Sequence, residues 1–226
     1  MCGRYVIEGT TELSERFQLR QIPANLFPEM STYNAAPTQL LPVILEEAGE
    51  RVALPMQWGL LPRWQRKDGK PGVAPINARA ETLFEKPMFR GLTRKKRCIV
   101  PASGFYEWRQ TGGRKQPYYI TSDDGEMWGF AGLYDETHAE DNDAAGSFTI
   151  ITTSANPLLS SLHERMPVIL RREDEGDWIS ADLEDPHEVE QFLLPYPDDE
   201  MRFYPVSTAV NNTRNNSPEL IEPEGE

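Results

Sequence analysis

Short apolar runs alternate with turn residues along most of the chain, and strand signals dominate. CGRYVIEG, at the start, reads as a strand. LLPVILEE and RVALPMQW read as two strands around a glycine-containing turn. RCIVPASGFYEWRQ, QPYYITSD, MWGFAGLYD and SFTIITTSA are rich in β-branched and aromatic residues and are separated by Gly, Asp and Asn turns. Helical patterning is confined to shorter stretches. TTELSERFQL reads as a helix start capped by Thr and Ser ahead of acidic partners, and ETLFEKPMFRGL, NPLLSSLH and DPHEVEQFLL as further helices. The pattern predicts an α+β fold: a single domain over residues 1–226, built on a curved, largely antiparallel, barrel-like sheet flanked by short helices. A polar tail is expected from about Glu219, and no internal repeat recurs at a fixed period.

Length and composition narrow this further. With 226 residues the chain can bury a substantial core. No apolar run approaches the roughly 18 residues that span a bilayer, and residues 1–20 lack the basic-then-apolar pattern of a secretory signal. A cytosolic protein without a membrane partner is expected. Cys2 and Cys98 are the two cysteines, which excludes a disulfide framework, and spacings such as C-x-x-C or H-E-x-x-H are absent. Neither a metal nor another cofactor is therefore expected. The net charge of −13 argues against a generic polyanion-binding surface while leaving room for a local basic cleft. Acid is clumped in EEAGE, ETHAEDNDA, REDEGD, LEDP and PDDE, which read as solvated loops, and base in RKKR, Arg94 to Arg97.

Cys2 draws the first chemical question. Removal of Met1, which a small second residue permits, leaves Cys2 with a free α-amine and a thiol on adjacent carbons. No internal cysteine can supply that 1,2-aminothiol. Asn77, Arg79 and Glu81 in VAPINARAETL fall at alternate positions, so an extended backbone turns all three to one face. That face is either a polar site or an exposed edge with an Arg79–Glu81 salt bridge. Glu107, between Tyr106 and Trp108, is either a desolvated acid suited to donating protons or an outward strand glutamate. His163 differs from His138, in an acidic loop, and His187, on a surface helix. It falls where a helical stretch gives way to a strand, two residues before Arg165, a placement that serves catalysis or structure. In QWGLLPRW, Trp58 reads as core, whereas Trp64 is a lid or a stacking platform with Arg63 near enough to take a phosphate.

Taken in order, MCGRY, YNAAPT, QWGLLPRW, INARAET, CIVPASGFYEW, FTIITTSAN, HERMPVIL and VNNTRNNSPELIEP resemble the SOS-response-associated peptidase (SRAP) family across nearly the full length. The resemblance implies covalent capture of abasic sites in single-stranded DNA. The N-terminal cysteine would bond to the ring-opened sugar aldehyde and leave a stable DNA–protein crosslink. An α-amine with a reference pKa of about 7.7 to 8.0 keeps a usable neutral fraction to attack an aldehyde. Ring closure by the sulfur of the same residue would then give a thiazolidine.

The same resemblance implies roles for individual residues. Asn77 would hydrogen-bond at the reacting centre, Glu107 would shuttle protons, and His163 would assist opening of the sugar ring. Arg79, Arg165 and Arg4 would grip the DNA backbone through guanidinium–phosphate pairing. Trp108, Pro37 and Trp64 would stack or wedge against flanking bases, and Glu81 would only position its neighbours. Abasic single-stranded DNA is thus the expected partner of a monomer that joins the nucleoid when bound to damage. Peptidase activity would amount to self-removal of Met1, with lyase-type chemistry at the lesion; an aminopeptidase is the alternative agent for Met1. Two other functions fit parts of the sequence. An N-terminal Cys-Gly-Arg also resembles glutamine amidotransferases of the N-terminal-nucleophile class, and a non-covalent single-stranded DNA-binding module would leave Cys2 incidental. The acidic balance predicts modest, salt-sensitive affinity for undamaged DNA.

Overall fold

The computed structural model describes residues 2–20, 31–61, 74–136 and 144–225. In chain order the elements are β1 (Tyr5–Ile7), α1 (Thr10–Phe17), β2 (Thr32–Ala35), β3 (Leu40–Glu47), β4 (Glu50–Trp58), β5 (Asn77–Arg79), α2 (Pro87–Arg90) and β6 (Arg97–Ala102). There follow β7 (Gly104–Thr111), β8 (Arg114–Ser122), β9 (Trp128–Glu136), β10 (Gly146–Ser154), β11 (Arg165–Pro167), β12 (Ile169–Leu170), α3 (Glu175–Ile179), α4 (Pro186–Glu190) and β13 (Met201–Pro205). The fold is α+β, with a curled sheet and a few short helices.

One sheet closes on itself. Strand β10 pairs in parallel with β4, β4 runs antiparallel to β3, β3 to β6, β6 to β9, and β9 returns antiparallel to β10. Closure removes the exposed edges that an open sheet would leave. The β10 strand is shared along its length: its first residues pair with β4, and Ile150 to Thr152 pair in parallel with Asn77 to Arg79 of β5. The second sheet runs β13-β8-β7-β1-β2 and is antiparallel throughout. Buried aromatics fill the interior: Tyr5 meets Trp58 edge-on at 5.1 Å, and Trp58 stacks on Phe148 at 6.3 Å. The Trp58 indole N–H donates to the Ile76 carbonyl at 3.0 Å, tying the end of β4 to the residue before Asn77.

Several helical expectations shrink in the structure. ETLFEKPMFRGL splits into a 3-10 turn at Ala80–Thr82 and the single turn of α2. Pro87 is the cause, because it lacks the N–H that a continuous helix needs and instead starts a new one. NPLLSSLH gives a 3-10 turn at Leu159–Ser161. Helix α1 is entered from Gly9 at φ 65°, with no side-chain cap, rather than from a Thr or Ser cap. The segment expected to be a polar tail is packed. Leu220 is buried with Val6, Tyr106 and Val210, Tyr204 Oη donates to the Ile221 carbonyl at 3.0 Å, and Val206 bridges Pro223. The apolar pair Leu220–Ile221 within the acidic run accounts for that docking.

Ion pairing also contributes to the core. Glu175 is wholly buried and lies against Arg16 at 2.6 Å and Arg51 at 3.1 Å, so its charge is matched by two guanidiniums. Arg97, from the RKKR run, is buried and donates to the carbonyls of Trp178, Thr93, Arg94 and Ser180. Desolvation holds its pKa down at about 10. Among the described residues no helix is long and apolar enough to cross a membrane, and no cluster of His, Cys, Asp and Glu could hold a metal ion.

Candidate active site

The N-terminal residues are laid against β7 by main-chain bonds. Tyr5 is opposite Phe105, and the Tyr106 N–H donates to the Arg4 carbonyl at 3.0 Å. Gly104 lets β8 approach the same strand closely, since a Cβ there would lie 2.5 Å from both the Ile120 carbonyl and the Tyr119 ring. Cys2 is thereby seated near Glu107 on the same strand. Asn77 arrives from the opposite direction on β5, and its side-chain N–H donates to the Cys2 carbonyl at 2.9 Å. Its Oδ1 is buried and has no hydrogen-bond partner among the described residues, an acceptor left available beside Cys2.

A cleft of about 480 Å³ opens next to these residues, lined by Arg4, Glu107, Trp108, Lys115, His163 and Asn211. Glu107 is 5% exposed and Cys2 is fully buried behind this wall. Burial pushes the Cys2 thiol pKa far up, and the neighbouring Glu107 carboxylate pushes it further. The thiol is therefore held in its protonated form. Arg4 has a buried guanidinium Nε with no hydrogen-bond partner among the described residues, and desolvation lowers its pKa. His163 follows the turn at Leu159–Ser161, and its Nδ1 accepts the Arg165 main-chain N–H at 2.9 Å. That bond assigns the neutral ring's proton to Nε2.

Four sequence-predicted residues, Arg4, Glu107, Trp108 and His163, thus share one cleft, with Cys2 and Asn77 joined behind it. Others are placed differently. Glu81 leaves the face of Asn77 and Arg79 because β5 ends at Arg79 and a 3-10 turn follows. Its carboxylate takes a two-pronged ion pair from Arg165 rather than from Arg79, which holds its pKa down. Arg165 also donates to the Thr152 carbonyl at 2.6 Å and is 9% exposed, so most of its donors are already engaged within the protein. Arg79 is exposed. Pro37 is half-buried at the second position of the Ala36–Gln39 turn, whose third residue, Thr38, is held at φ 75°. A β-branched residue in that region is a strained choice. Trp64, Arg63, His138 and Met1 lie outside the described residues.

Sequence reasoning missed the asparagines. Trp108 donates its indole N–H to Asn211 Oδ1 at 2.7 Å, which fixes the ring at the cleft wall. Asn34, buried in β2, brings its amide within 3.0–3.1 Å of the carbonyls of Val210, Asn212 and Asn215, so it staples the C-terminal segment beneath Trp108. The density of asparagine in VNNTRNN was the available signal. A second depression of about 540 Å³ is lined by Glu8, Glu12, Glu15 and Glu126 with Arg16 and Arg172; its excess of carboxylates would repel a phosphate backbone.

The model of the SOS response associated peptidase (SRAP) family matches residues 1–213. The chain belongs to the SRAP family. Its relatives include abasic site processing protein YoqW of Bacillus subtilis, 40% identical over 98% of this chain and 99% of that one. Another is abasic site processing protein HMCES of Mus musculus, 32% identical over 99% of this chain and 76% of that one. A solved structure of a protein from Bacteroides thetaiotaomicron matches with a TM-score of 0.85, at 29% identity over 99% of this SRAP chain and all of that one.

Proposed function

We propose that this SRAP protein recognises abasic sites in single-stranded DNA and, once Met1 is gone, joins them covalently through Cys2. The observation that carries the reading is the seating of Cys2 between the Asn77 amide and the Glu107 carboxylate, beside a cleft lined by Arg4, Trp108 and His163. The abasic-site processing named in its relatives fits the same reading.

The protonated thiol sets the order of steps. A buried S–H is a poor nucleophile, so the α-amine of Cys2 attacks the C1′ aldehyde first. A nitrogen–carbon bond forms and the aldehyde oxygen leaves as water, giving a Schiff base. Glu107, a carboxylate at the outset, takes the proton that the amine gives up on attack and returns it to the departing oxygen. The sulfur then adds to the imine carbon, its proton passing to the nitrogen, and the five-membered thiazolidine closes with one water released overall. Asn77 orients Cys2 through its carbonyl, while its Oδ1 accepts from the new nitrogen or a sugar hydroxyl. His163, whose ring proton sits on Nε2 because Nδ1 is an acceptor, serves the ring oxygen as the sugar opens. Arg4 takes the adjacent phosphate.

The test is a denaturing gel of abasic and intact single-stranded oligonucleotides incubated with the purified protein. A protein-sized shift with the abasic strand alone is expected. Free migration of both strands would overturn the reading.

A further inference from the structure

Trp108 and Glu107 do not end the strand that carries them. Strand β7 continues to Thr111, turns through Gly112 and Gly113, and returns as β8 with Arg114 and Lys115. Both glycines have positive φ, 57° and 83°, the two-residue hairpin geometry that L side chains adopt poorly. The segment from Arg109 to Lys115 reads RQTGGRK: three cations and no acid, in a chain of net charge −13.

Several surface cations elsewhere are matched by carboxylates. Arg20 pairs with Glu50, Lys95 with Glu184, Lys96 with Glu136 and Arg172 with Glu126. On the hairpin tip, by contrast, Arg109, Arg114 and Lys115 are all exposed, and among the described residues no carboxylate pairs with any of them. The Glu224 carboxylate, which reaches β8, is bonded instead by the amide of Gln116 at 3.2 Å. Register then distributes the charges. Arg109 shares the face of Glu107, Arg114 joins that face from the opposite strand, and Lys115, opposite Gln110, shares the face of Trp108 and lines the cleft. At ~3.3 Å per residue, the four steps from Glu107 carry the tip roughly 13 Å beyond the reacting centre.

We propose that the β7–β8 hairpin is a basic arm that carries the phosphate backbone of the strand flanking the lesion, extending the binding surface beyond the cleft. This rests on the abasic-DNA reading for its ligand. It explains how an acidic protein holds a polyanion: three cations and no acid stand together on one hairpin that begins at the site itself.

The experiment compares Arg109→Gln/Arg114→Gln/Lys115→Gln with a charge-matched control, Arg90→Gln/Arg94→Gln/Arg202→Gln, whose exposed arginines lie elsewhere. Fluorescence anisotropy measures the affinity of each for an intact single strand across a salt series. For the hairpin variant, log K against log salt should be shallower by about 2, at roughly 0.7 for each of three phosphates that the arm no longer neutralises. The control should keep the wild-type slope. Thermal unfolding midpoints of both variants should match the wild type, which certifies folding, and the wild-type protein is checked in parallel for its crosslink to an abasic strand. An unchanged slope in the hairpin variant, or equal losses in both variants, would overturn the arm. Absence of a crosslink with wild type would instead sink the abasic reading while leaving the salt result interpretable.

Discussion

Cys2 and Cys98 are both wholly buried, and both thiols are pushed up in pKa, yet they sit in opposite kinds of surroundings. Cys98 is the second residue of β6, packed against Gly132 so closely that a Cβ there would fall 2.8 Å from its sulfur. Desolvation accounts for its shift. Cys2 has the same desolvation together with a carboxylate, Glu107, and its carbonyl is held by Asn77 at the back of a cleft. Thiol burial therefore does not distinguish a core cysteine from the one proposed to react. What distinguishes them is the company each keeps, and the α-amine that only Cys2 can gain.

The sharpest way to break this comparison is to exchange the fates of the two residues. Cys2→Ala should abolish the heat-stable adduct with an abasic strand, whereas Cys98→Ala should retain it in full. The latter should cost on the order of 1 kcal/mol in denaturant unfolding, for one heavy atom removed from a packed core. A denaturing gel and a urea titration of both variants read this directly. An adduct surviving in Cys2→Ala would remove the mechanism altogether.

Glu107→Gln comes next in size. It keeps the shape of the side chain and removes the proposed proton shuttle, so the rate of crosslink formation should fall by roughly 10² or more at neutral pH. The same substitution removes a negative charge beside Cys2. The thiol pKa should then move down, because the charge that disfavoured the thiolate has gone, and alkylation of Cys2 by iodoacetamide should speed up at a given pH. Opposite movements of crosslinking and alkylation in one variant would separate proton transfer from mere thiol access. Intact-mass measurement of the same variant tests Met1: retention there, with complete removal in Cys98→Ala, is the outcome expected of self-processing.

A smaller effect is expected at Glu81. Its clasp holds Arg165, and the Arg165 N–H in turn fixes His163 Nδ1. Glu81→Gln weakens the clasp and should slow crosslinking several-fold. Time-resolved denaturing gels read the rate, and Glu81→Asp, which keeps the charge, should recover part of it. Because Arg165 depresses the Glu81 pKa, the stabilisation from this pair is present above the unfolded carboxylate's pKa and is lost as pH falls through the folded value.

Much of the candidate site was legible because its residue types are scarce. With two cysteines and three histidines, Cys2 and His163 stood out before any geometry was known. Glu107 was marked by its aromatic neighbours. The partners were harder to read, for physical reasons. Alternation placed Asn77, Arg79 and Glu81 on one face only if the strand ran past Glu81, but a three-residue β5 cannot hold an i, i+2, i+4 set, and Glu81 swings to Arg165, 84 residues away. Lys115 belonged to a glycine-flanked charge run of the kind that ordinarily reads as solvated turn. Barrel closure rests on β10 pairing in parallel with both β4 and β5, contacts between segments far apart in sequence that local propensity does not encode.

The smallest effect concerns stability at high pH, where the two cysteines should behave alike. In the unfolded chain a thiol loses its proton above about pH 8.5, whereas folding holds both thiols protonated to much higher pH. The unfolded state therefore gains free energy by deprotonation that the folded state does not, and stability declines as pH rises past that value. Urea unfolding between pH 7 and 10 should show a falling midpoint in the wild type. Cys98→Ala should flatten the decline by removing one of the two groups, and the double variant Cys2→Ala/Cys98→Ala should flatten it further. The buried phenols of Tyr5 and Tyr119, whose pKa values are also raised by desolvation, add their own loss only above the ordinary phenol pKa of about 10. The window between these two thresholds isolates the thiols. Equal slopes in wild type and double variant there would mean that Cys2 ionises as readily in the folded protein as in the unfolded chain, and with that the amine-first order of attack would lose its basis.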